Sequence, residues 1–221
     1  MTRPVIYAIE ASPSCHAVRL TAAALKIELD VRIISLKRKD HRKEEFIQMN
    51  PAHTVPTLVE DGFILWDSHA IMCYLSNKYA KDDSLYPKDL QLRAKVDQFL
   101  QFDNGHLFSS FVSIARPIFL FGDTNAPEEK IQKINNAYDV LEKLLEGRNW
   151  LVGDCYTLAD ISCVSTMSAY TALRPLDNYP NIQAWTKRCE ETIPGYAEQS
   201  EPANKITHAA IRRNMPADLF F

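Results

Sequence analysis

The sequence predicts a mixed α/β domain in residues 1–80, followed by an all-α domain in residues 90–221. Two observations carry this prediction. Short β-branched runs alternate with helical spacing only in the first third of the chain, whereas the periodic segments beyond it are all helical. Residues 81–89, which lie between the two parts, are polar and lack periodicity, as is typical of an interdomain linker.

The α/β domain is predicted to contain four strands and three helices. The expected strands are residues 5–9, 31–34, 57–60 and 63–66, and the expected helices are residues 15–25, 43–49 and 68–79. Asp61 and Gly62 join the last two strands, and this pair favours a two-residue hairpin turn. Ser68 is expected to be the N-cap of the third helix.

The all-α domain is predicted to contain four helices, at about residues 90–121, 127–146, 157–173 and 182–192. Pro127 and the two glutamates after it form a helix-start signal. Pro117 lies inside the first of these helices and is expected to kink or break it. Thr157 and Asp160 have the spacing of a capping box, which we assign to structure and not to catalysis.

Composition and charge exclude several classes of protein. With 46% hydrophobic and 24% charged residues, the chain is typical of a folded globular protein and not of a disordered one. A net charge of −3 provides no basic field, so we expect no nucleic-acid partner. No apolar stretch approaches the roughly 20 residues of a membrane helix. We therefore expect no membrane association, and the N-terminus lacks the apolar core of a signal peptide.

Cysteine and histidine usage narrows the chemistry further. The five cysteines form no CxxC pair and are odd in number, which is unlike a disulfide framework and favours a reducing, cytoplasmic location. The six histidines are dispersed without the spacing of metal ligands, and the chain has no P-loop, dinucleotide fingerprint or HExxH motif. The sequence therefore predicts no metal site.

Ser12 is the candidate catalytic residue. The segment Ser12-Pro13-Ser14-Cys15 lies between a strand and the start of a helix, where free N–H groups and the helix dipole favour an anion. Thioredoxin-like redox proteins carry Cys-Pro-x-Cys at this position, and their first cysteine is the nucleophile. A serine hydroxyl cannot exchange disulfides, but it can donate a hydrogen bond to a thiolate. The nucleophile is then expected to come from a cosubstrate.

The chain resembles the cytosolic glutathione transferases over nearly its whole length. The resemblance lies in the order and spacing of the Ser12–Cys15 segment, His41, the Pro56 segment and Asp67-Ser68-His69. Ser12 followed by Cys15 is similar to the insect Delta and Epsilon classes, and His69 favours Epsilon. One departure is His16, where those classes usually carry arginine. The resemblance implies a thioredoxin-like glutathione-binding domain, a helical domain that binds a hydrophobic electrophile, a homodimer, and detoxification by conjugation.

The resemblance also implies roles for individual residues. Asp67 is expected to bind the ammonium group of glutathione, Ser68 its γ-glutamyl carboxylate, and Val55 its cysteinyl main chain through strand-like pairing. The Val55–Pro56 peptide bond is expected to be cis. The full set of expected glutathione-binding residues is His41, His53, Thr54, Val55, Pro56, Asp67, Ser68 and His69. Within this set, the two histidines His41 and His53 are expected to bind the glycyl carboxylate.

An apolar stripe in the long helix is the expected electrophile site. Its members are Phe108, Phe111, Val112, Ala115, Arg116 and Phe119, with Leu36, Ile206, Ile211 and residues 219–221 as weaker candidates. Spacing alone fits a core face as well as a pocket wall. The same pocket would also serve a non-catalytic carrier of hydrophobic ligands such as steroids. A glutathione-dependent thiol oxidoreductase or peroxidase is a further alternative, against which the serine at position 12 argues.

Overall fold

A four-stranded sheet in the order β2-β1-β3-β4 forms the centre of the N-terminal domain in the computed structural model, which describes residues 3–123, 127–171, 173 and 175–214. The strands are β1 (Val5–Ala8), β2 (Asp30–Ile33), β3 (Thr57–Glu60) and β4 (Phe63–Leu65). β1 pairs in parallel with β2 and antiparallel with β3, and β3 pairs antiparallel with β4. All four predicted strands are present, each within one residue or so of its expected limits.

The turn between β3 and β4 forms as predicted. Asp61 and Gly62 have φ angles of 48° and 84°, and a type I′ turn requires positive φ at both central positions. Glu60 and Phe63, on either side of the turn, are paired across the hairpin. The short connection therefore brings the end of β4 directly to the start of the next helix.

Three helices accompany this sheet: α1 (Pro13–Leu25), α2 (Glu44–Met49) and α3 (Ser68–Tyr79). Helices α1 and α3 pack against each other and share a core with the sheet, to which Ile6, Leu58 and Ile71 belong. The predicted N-cap of α3 was wrong by one residue. Asp67 is the N-cap and its Oδ1 accepts from the His69 N–H at 3.1 Å, whereas Ser68 is the first helical residue.

The C-terminal part of the chain is helical, which confirms the predicted combination of an α/β domain with an all-α domain. Its helices are α4 (Leu90–Phe102), α5 (Ser109–Phe121), α6 (Glu128–Leu144), α7 (Leu158–Tyr170), α8 (Pro180–Thr192) and α9 (Tyr196–Asn214). A π-helical turn, Asp103–Phe108, connects α4 and α5. The sequence analysis does not predict α9, because Pro202 and a scarcity of apolar residues weaken its helical pattern.

Helix α5 runs through Pro117, so the expected break does not occur. A proline has no N–H, and the carbonyl four residues earlier therefore loses its helical partner. That carbonyl belongs to Ser113, and the Lys130 ammonium of α6 donates to it at 2.8 Å. A side chain from the neighbouring helix thus supplies the hydrogen bond that the proline removes.

The capping box at the start of α7 is confirmed. Asp160 Oδ2 accepts from the Thr157 N–H at 2.9 Å, and Thr157 Oγ1 accepts from the Ala159 N–H at 3.2 Å. Asp160 Oδ1 also accepts from Trp185 Nε1 at 2.9 Å and from the Leu151 N–H at 3.0 Å. The Thr157 hydroxyl is a fourth donor, to Asp160 Oδ2 at 3.3 Å. A fully buried carboxyl group with four donors costs far less than an unpaired one, and here it ties α7 to α8.

None of the helices within the described residues combines the length and the apolar character that a membrane crossing needs. The linker between the predicted domains begins after Tyr79, where α3 ends, and α4 starts at Leu90. The division of the chain into two separate domains at residues 81–89 stays a prediction.

Replacing Lys130 with methionine should destabilise the fold by about 1–2 kcal/mol, since the Ser113 carbonyl loses its charged donor. We expect a melting temperature lower by roughly 3–6 °C in a thermal scan. Lys133→Met is the matched control, because Lys133 lies on the same helix but pairs only with exposed Glu129. Its effect should be below about 0.5 kcal/mol. Equal effects of the two variants would contradict this role of Lys130.

Candidate active site

Ser12 lies at the N-cap position of α1, as its predicted role requires. Its backbone is extended, with φ −91° and ψ 118°, and its Oγ accepts from the Cys15 N–H at 3.4 Å. Pro13 follows as the first helical residue, whose missing N–H costs nothing at a helix start. The hydroxyl is partly exposed and keeps its proton available for a second hydrogen bond. Its catalytic role stays a prediction.

Cys15, one turn beyond Ser12, is not an accessible nucleophile. The side chain is 1% exposed, and its Sγ accepts from the Ile9 N–H at 3.5 Å. Burial raises the pKa of this thiol to about 11, against smaller lowering effects of Ser12 and Ile9. The group is therefore a neutral thiol at physiological pH, enclosed in the protein.

The loop before β3 is held by a buried residue that the sequence analysis missed. Asn50 is completely buried, and its Nδ2 donates to the Thr54 carbonyl at 3.1 Å and to Thr57 Oγ1 at 2.9 Å. Within this clamped loop the Val55–Pro56 peptide bond is cis, which confirms the prediction. The loop therefore presents the Val55 main chain at the edge of the domain from a fixed position.

His41 and His53 come together as predicted, with their ring centroids 6.1 Å apart. Desolvation, followed by the positive charge of Arg42 and by His53, lowers the pKa of His41. Arg116 of α5 contributes in the same direction, so this cation acts on the same region. The Nδ1 atom of His41 is buried without a hydrogen-bond partner among the described residues. This region is therefore suited to a ligand carboxylate.

Asp67 and Ser68 form the start of α3, where unpaired N–H groups and the helix dipole favour a carboxylate. Asp67 Oδ1 accepts from Ser68 Oγ at 3.3 Å in addition to the His69 N–H. Asp67 is exposed and Ser68 is 6% exposed. The pair thus offers a negative charge and an anion-favouring helix start side by side, which suits a ligand that carries an ammonium and a carboxylate on one carbon.

The side chain of His69 points into the helical domain. Its Nε2 lies 2.7 Å from Ser162 Oγ of α7 and 3.1 Å from Asp103 Oδ2, and Ser162 Oγ donates to the same Asp103 oxygen at 2.5 Å. Ser162 and Asp103 both lie at the same ring nitrogen, Nε2. The three residues therefore do not form a chain of hydrogen bonds that passes through the imidazole ring. We call Asp103, Ser162 and His69 the interdomain cluster. The binding of glutathione by His69 stays a prediction.

The sequence analysis missed Asp103 and Ser162, which are 4% and 1% exposed. They come from the π-helical turn and from α7, far from His69 along the chain, so no local pattern marks them. Asp103 Oδ1 has no hydrogen-bond partner among the described residues. A buried carboxylate with one free oxygen is costly, and it therefore binds its remaining partners tightly.

The apolar stripe of α5 divides into two faces. Phe111 and Ala115, predicted to line the electrophile site, belong to the buried core instead, with 3% and 2% exposure. Their helix packs against α6 and α9. Arg116 and Phe119 are exposed, and Phe108 and Val112 are half-buried. Of the weaker candidates, Leu36 is half-buried, Ile206 is 46% exposed and Ile211 is fully buried. Residues 219–221 lie outside the described residues.

Among the residues that the structure describes, no group of three or more His, Cys, Asp or Glu side chains could hold a metal ion. The site consists instead of a serine at one helix start, an Asp-Ser pair at another, a clamped loop and two histidines. This arrangement can bind a small zwitterionic peptide and stabilise an anion beside Ser12.

Comparisons with known proteins identify the family to which these two regions of the chain are similar. The model of the glutathione S-transferase N-terminal domain matches residues 11–78, and that of the C-terminal domain matches residues 89–192. Glutathione S-transferase 1 of Manduca sexta is 40% identical over 205 residues, which cover 91% of this chain and 94% of that protein.

Two solved structures are similar over almost their full length. A glutathione transferase homologue from Drosophila mojavensis, with bound glutathione, has 41% identity and a TM-score of 0.92, and the match covers 97% of this chain and 99% of that one. An epsilon-class glutathione S-transferase from the housefly, Musca domestica, has 39% identity and a TM-score of 0.91, with 96% and 98% covered.

The two matched regions are those of an enzyme that acts on a thiol peptide, and the chain belongs to the glutathione S-transferase family. Its relatives include insect transferases of the Epsilon and Delta classes.

Asp103→Asn should weaken glutathione binding about fivefold, because loss of the charge loosens His69 and the start of α3. Isothermal titration calorimetry with glutathione measures this change. Asp97→Asn is the control: Asp97 lies on the adjoining helix and accepts from Tyr86 OH at 2.8 Å, beside the linker. It should leave glutathione affinity unchanged. If both variants bind glutathione like the parent protein, the interdomain cluster does not act on the ligand site.

Proposed function

We propose that this transferase activates the thiol of glutathione beside Ser12 and joins it to electrophilic, hydrophobic small molecules. The observation that supports this proposal is the placement of the Ser12 hydroxyl at the N-cap of α1, while the neighbouring thiol of Cys15 is buried. The helix start favours an anion, and the Ser12 hydroxyl can donate a hydrogen bond to it. Because the thiol of Cys15 is buried, the thiolate is expected to be that of the bound ligand.

The interactions available beside Ser12 are strong enough to ionise most of the bound thiol at neutral pH. A free thiol with a pKa near 8.5 is only a few per cent ionised at pH 7. A hydrogen bond from Ser12 Oγ to the sulfur is worth about 1.5–3 kcal/mol, which lowers the thiol pKa by roughly one to two units. The start of α1 adds up to about another unit. The thiol proton leaves to solvent, and no dedicated base is needed.

The conjugation step is a displacement or an addition. The glutathione sulfur forms a bond with an electrophilic carbon, and in a displacement the bond to the leaving group breaks, with the electron pair departing on that group. In an addition the π bond of the electrophile breaks, its electron pair moves to the neighbouring atom, and the resulting anion takes a proton from solvent. Ser12 stabilises the sulfur anion before attack and does not become covalently modified. Activation must stop short of making the thiolate too stable to react, and a neutral donor meets this requirement better than a cation.

Glutathione is proposed to bind along the edge of the α/β domain as cosubstrate. Asp67 would take its ammonium group, Ser68 and the start of α3 its γ-glutamyl carboxylate, and the Val55 main chain its cysteinyl unit. His41 and His53 would take the glycyl carboxylate. The opposite charges of these groups, the fixed loop at Pro56 and the glutathione bound in the Drosophila mojavensis homologue support this orientation.

The electrophile is proposed to lie between Ser12 and the exposed side of α5. Phe108, Val112 and Phe119 provide apolar surface there, and Arg116 provides one cation. A wall of this kind selects by shape and apolarity, so it accepts many compounds, which suits detoxification. Because Leu36 and Ile206 are also accessible, we include them as candidate contacts.

The protein is further proposed to act as a cytoplasmic homodimer of the Epsilon type. Large exposed apolar side chains on and beside β4, including Phe63 and Trp66 at 46% and 43% exposure, support a protein interface. Leu90 at the start of α4 is 82% exposed. All five cysteines are free thiols, which fits a reducing compartment.

Ser12→Ala should lower the rate of conjugation of glutathione to an aryl halide by about 10- to 100-fold, or roughly 1.4–2.7 kcal/mol. The thiolate absorbance of bound glutathione should titrate at a higher pH. Ser14→Ala is the control, because it removes a hydroxyl from the same helical turn. A parent-like thiol pKa in Ser12→Ala would show that the serine serves only as a helix cap. A parent protein that is folded but neither binds nor conjugates glutathione would support a carrier instead.

Phe108→Ala should change the relative rates for electrophiles of different shape while glutathione affinity stays the same. Phe111→Ala provides the comparison, since its buried ring should cost about 3–5 kcal/mol of stability and reduce all rates in parallel. Steady-state kinetics with three or more electrophiles, together with melting temperatures, measure both effects. Parallel losses in Phe108→Ala would assign Phe108 to the core as well.

A further inference from the structure

His16 is a buried histidine of α1 that has no part in the chemistry described above. The residue is only 3% exposed. Its backbone N–H donates to the Ser12 carbonyl at 3.0 Å, which is the first hydrogen bond of the helix. His16 is therefore fixed to the same turn that carries the Ser12 hydroxyl, and a displacement of its ring would be transmitted directly to that turn.

The ring of His16 bonds to the far end of the chain. Its Nε2 lies 2.9 Å from Ser200 Oγ on α9, a residue 184 positions later and 2% exposed. The Tyr196 ring, also on α9, lies with its centroid 6.1 Å away. Burial and the charge of Arg19 lower the pKa of His16 to about 3. The imidazole is therefore neutral and acts as a hydrogen-bonding group.

Helix α9 also meets α1 at a second point. Gly195, just before α9, has a φ of 76°, and a Cβ at this position would lie 3.2 Å from Ala23 Cβ and 3.0 Å from Gln199 Nε2. Only a glycine permits such a close approach in this conformation. The end of α1 is thus packed tightly against the start of α9, while His16 and Ser200 join the two helices near the start of α1.

We propose that His16 is a positioning residue, which through Ser200 holds the first turn of α1 so that the Ser12 hydroxyl stays within reach of the bound sulfur. The proposal rests on the proposed role of Ser12. Without the bond to Ser200, the buried imidazole would have to seek another partner, and the turn above it would shift. Tenths of an ångström matter here, because a hydrogen bond weakens steeply with distance and angle.

Ser200→Ala tests the proposal without altering α1. The full-length protein is saturated with glutathione, and the thiolate absorbance is titrated against pH. We expect the pKa of the bound thiol to rise by about 0.5–1 unit, and kcat at a pH below that pKa to fall about 3- to 10-fold, because the thiolate fraction falls in proportion. The KM for glutathione should change less than about twofold, since its charged ends bind elsewhere. Ser200→Thr retains a hydroxyl and should restore the parent values.

Ser165→Ala is the matched control. Its hydroxyl is as deeply buried as that of Ser200, but it donates to the Ile161 carbonyl within its own helix at 2.7 Å. We expect at most a lower melting temperature from this variant, with an unchanged thiol pKa. An unchanged thiol pKa in Ser200→Ala, whatever its melting temperature, would overturn the proposal and leave the bond a purely structural contact.

A second pair of variants covers the case in which Ser200→Ala does not fold. His16→Gln can place an amide where the ring nitrogen lies, whereas His16→Leu cannot bond to Ser200, and only His16→Leu should raise the thiol pKa. Ser12→Ala in the same titration separates the two proposals. A shift in Ser12→Ala alone overturns only the role of His16. If the pKa of the bound thiol shifts in none of the Ser12, Ser200 and His16 variants, the proposed roles of Ser12 and His16 are both overturned.

Discussion

Helix α1 is packed against α3, α7 and α9, and the placement of every group near Ser12 depends on this enclosure. Apart from His16 and Thr21, its buried side chains are small or medium-sized and apolar, among them Ala17, Val18 and Leu20. Burial of one such larger side chain stabilises a fold by about 1.5–3 kcal/mol, so a rotation that exposed two of them would cost several kcal/mol. The start of the helix is therefore fixed by the packing of its remainder.

Helix α7, which packs against α1, carries buried hydroxyl groups among its apolar side chains. Helix α7 buries several serines, and their hydroxyls bond to carbonyls of the same helix, as Ser165 does to Ile161 and Ser168 to Ser165. A hydroxyl satisfied in this way can be buried at little cost. Ser162 differs, because its hydroxyl leaves the helix and joins His69 and Asp103. The exception marks one point where the two parts of the chain are joined by hydrogen bonds, and His16 and Ser200 mark another.

The features that the sequence predicted share one property: each is encoded within a few neighbouring residues. The Asp61-Gly62 turn, the capping box of Thr157 and Asp160, and the helix start at Ser12 follow from local backbone chemistry. The features that it missed require partners that are distant along the chain. No local pattern marks Asn50, and Asp103 and Ser162 meet only after folding. The half-burial of Phe108 and the full burial of Phe111 depend on how the π-helical turn and α5 pack against their neighbours.

The bond between Lys130 and the Ser113 carbonyl links two positions that share no function. A proline at position 117 is tolerated because a long, charged donor reaches across from α6, and that donor is useful because the proline has left a carbonyl unpaired. The stabilising effect of each residue depends on the presence of the other. A substitution at one of the two positions therefore changes the cost of a substitution at the other, so the effects of changing the two residues are not additive.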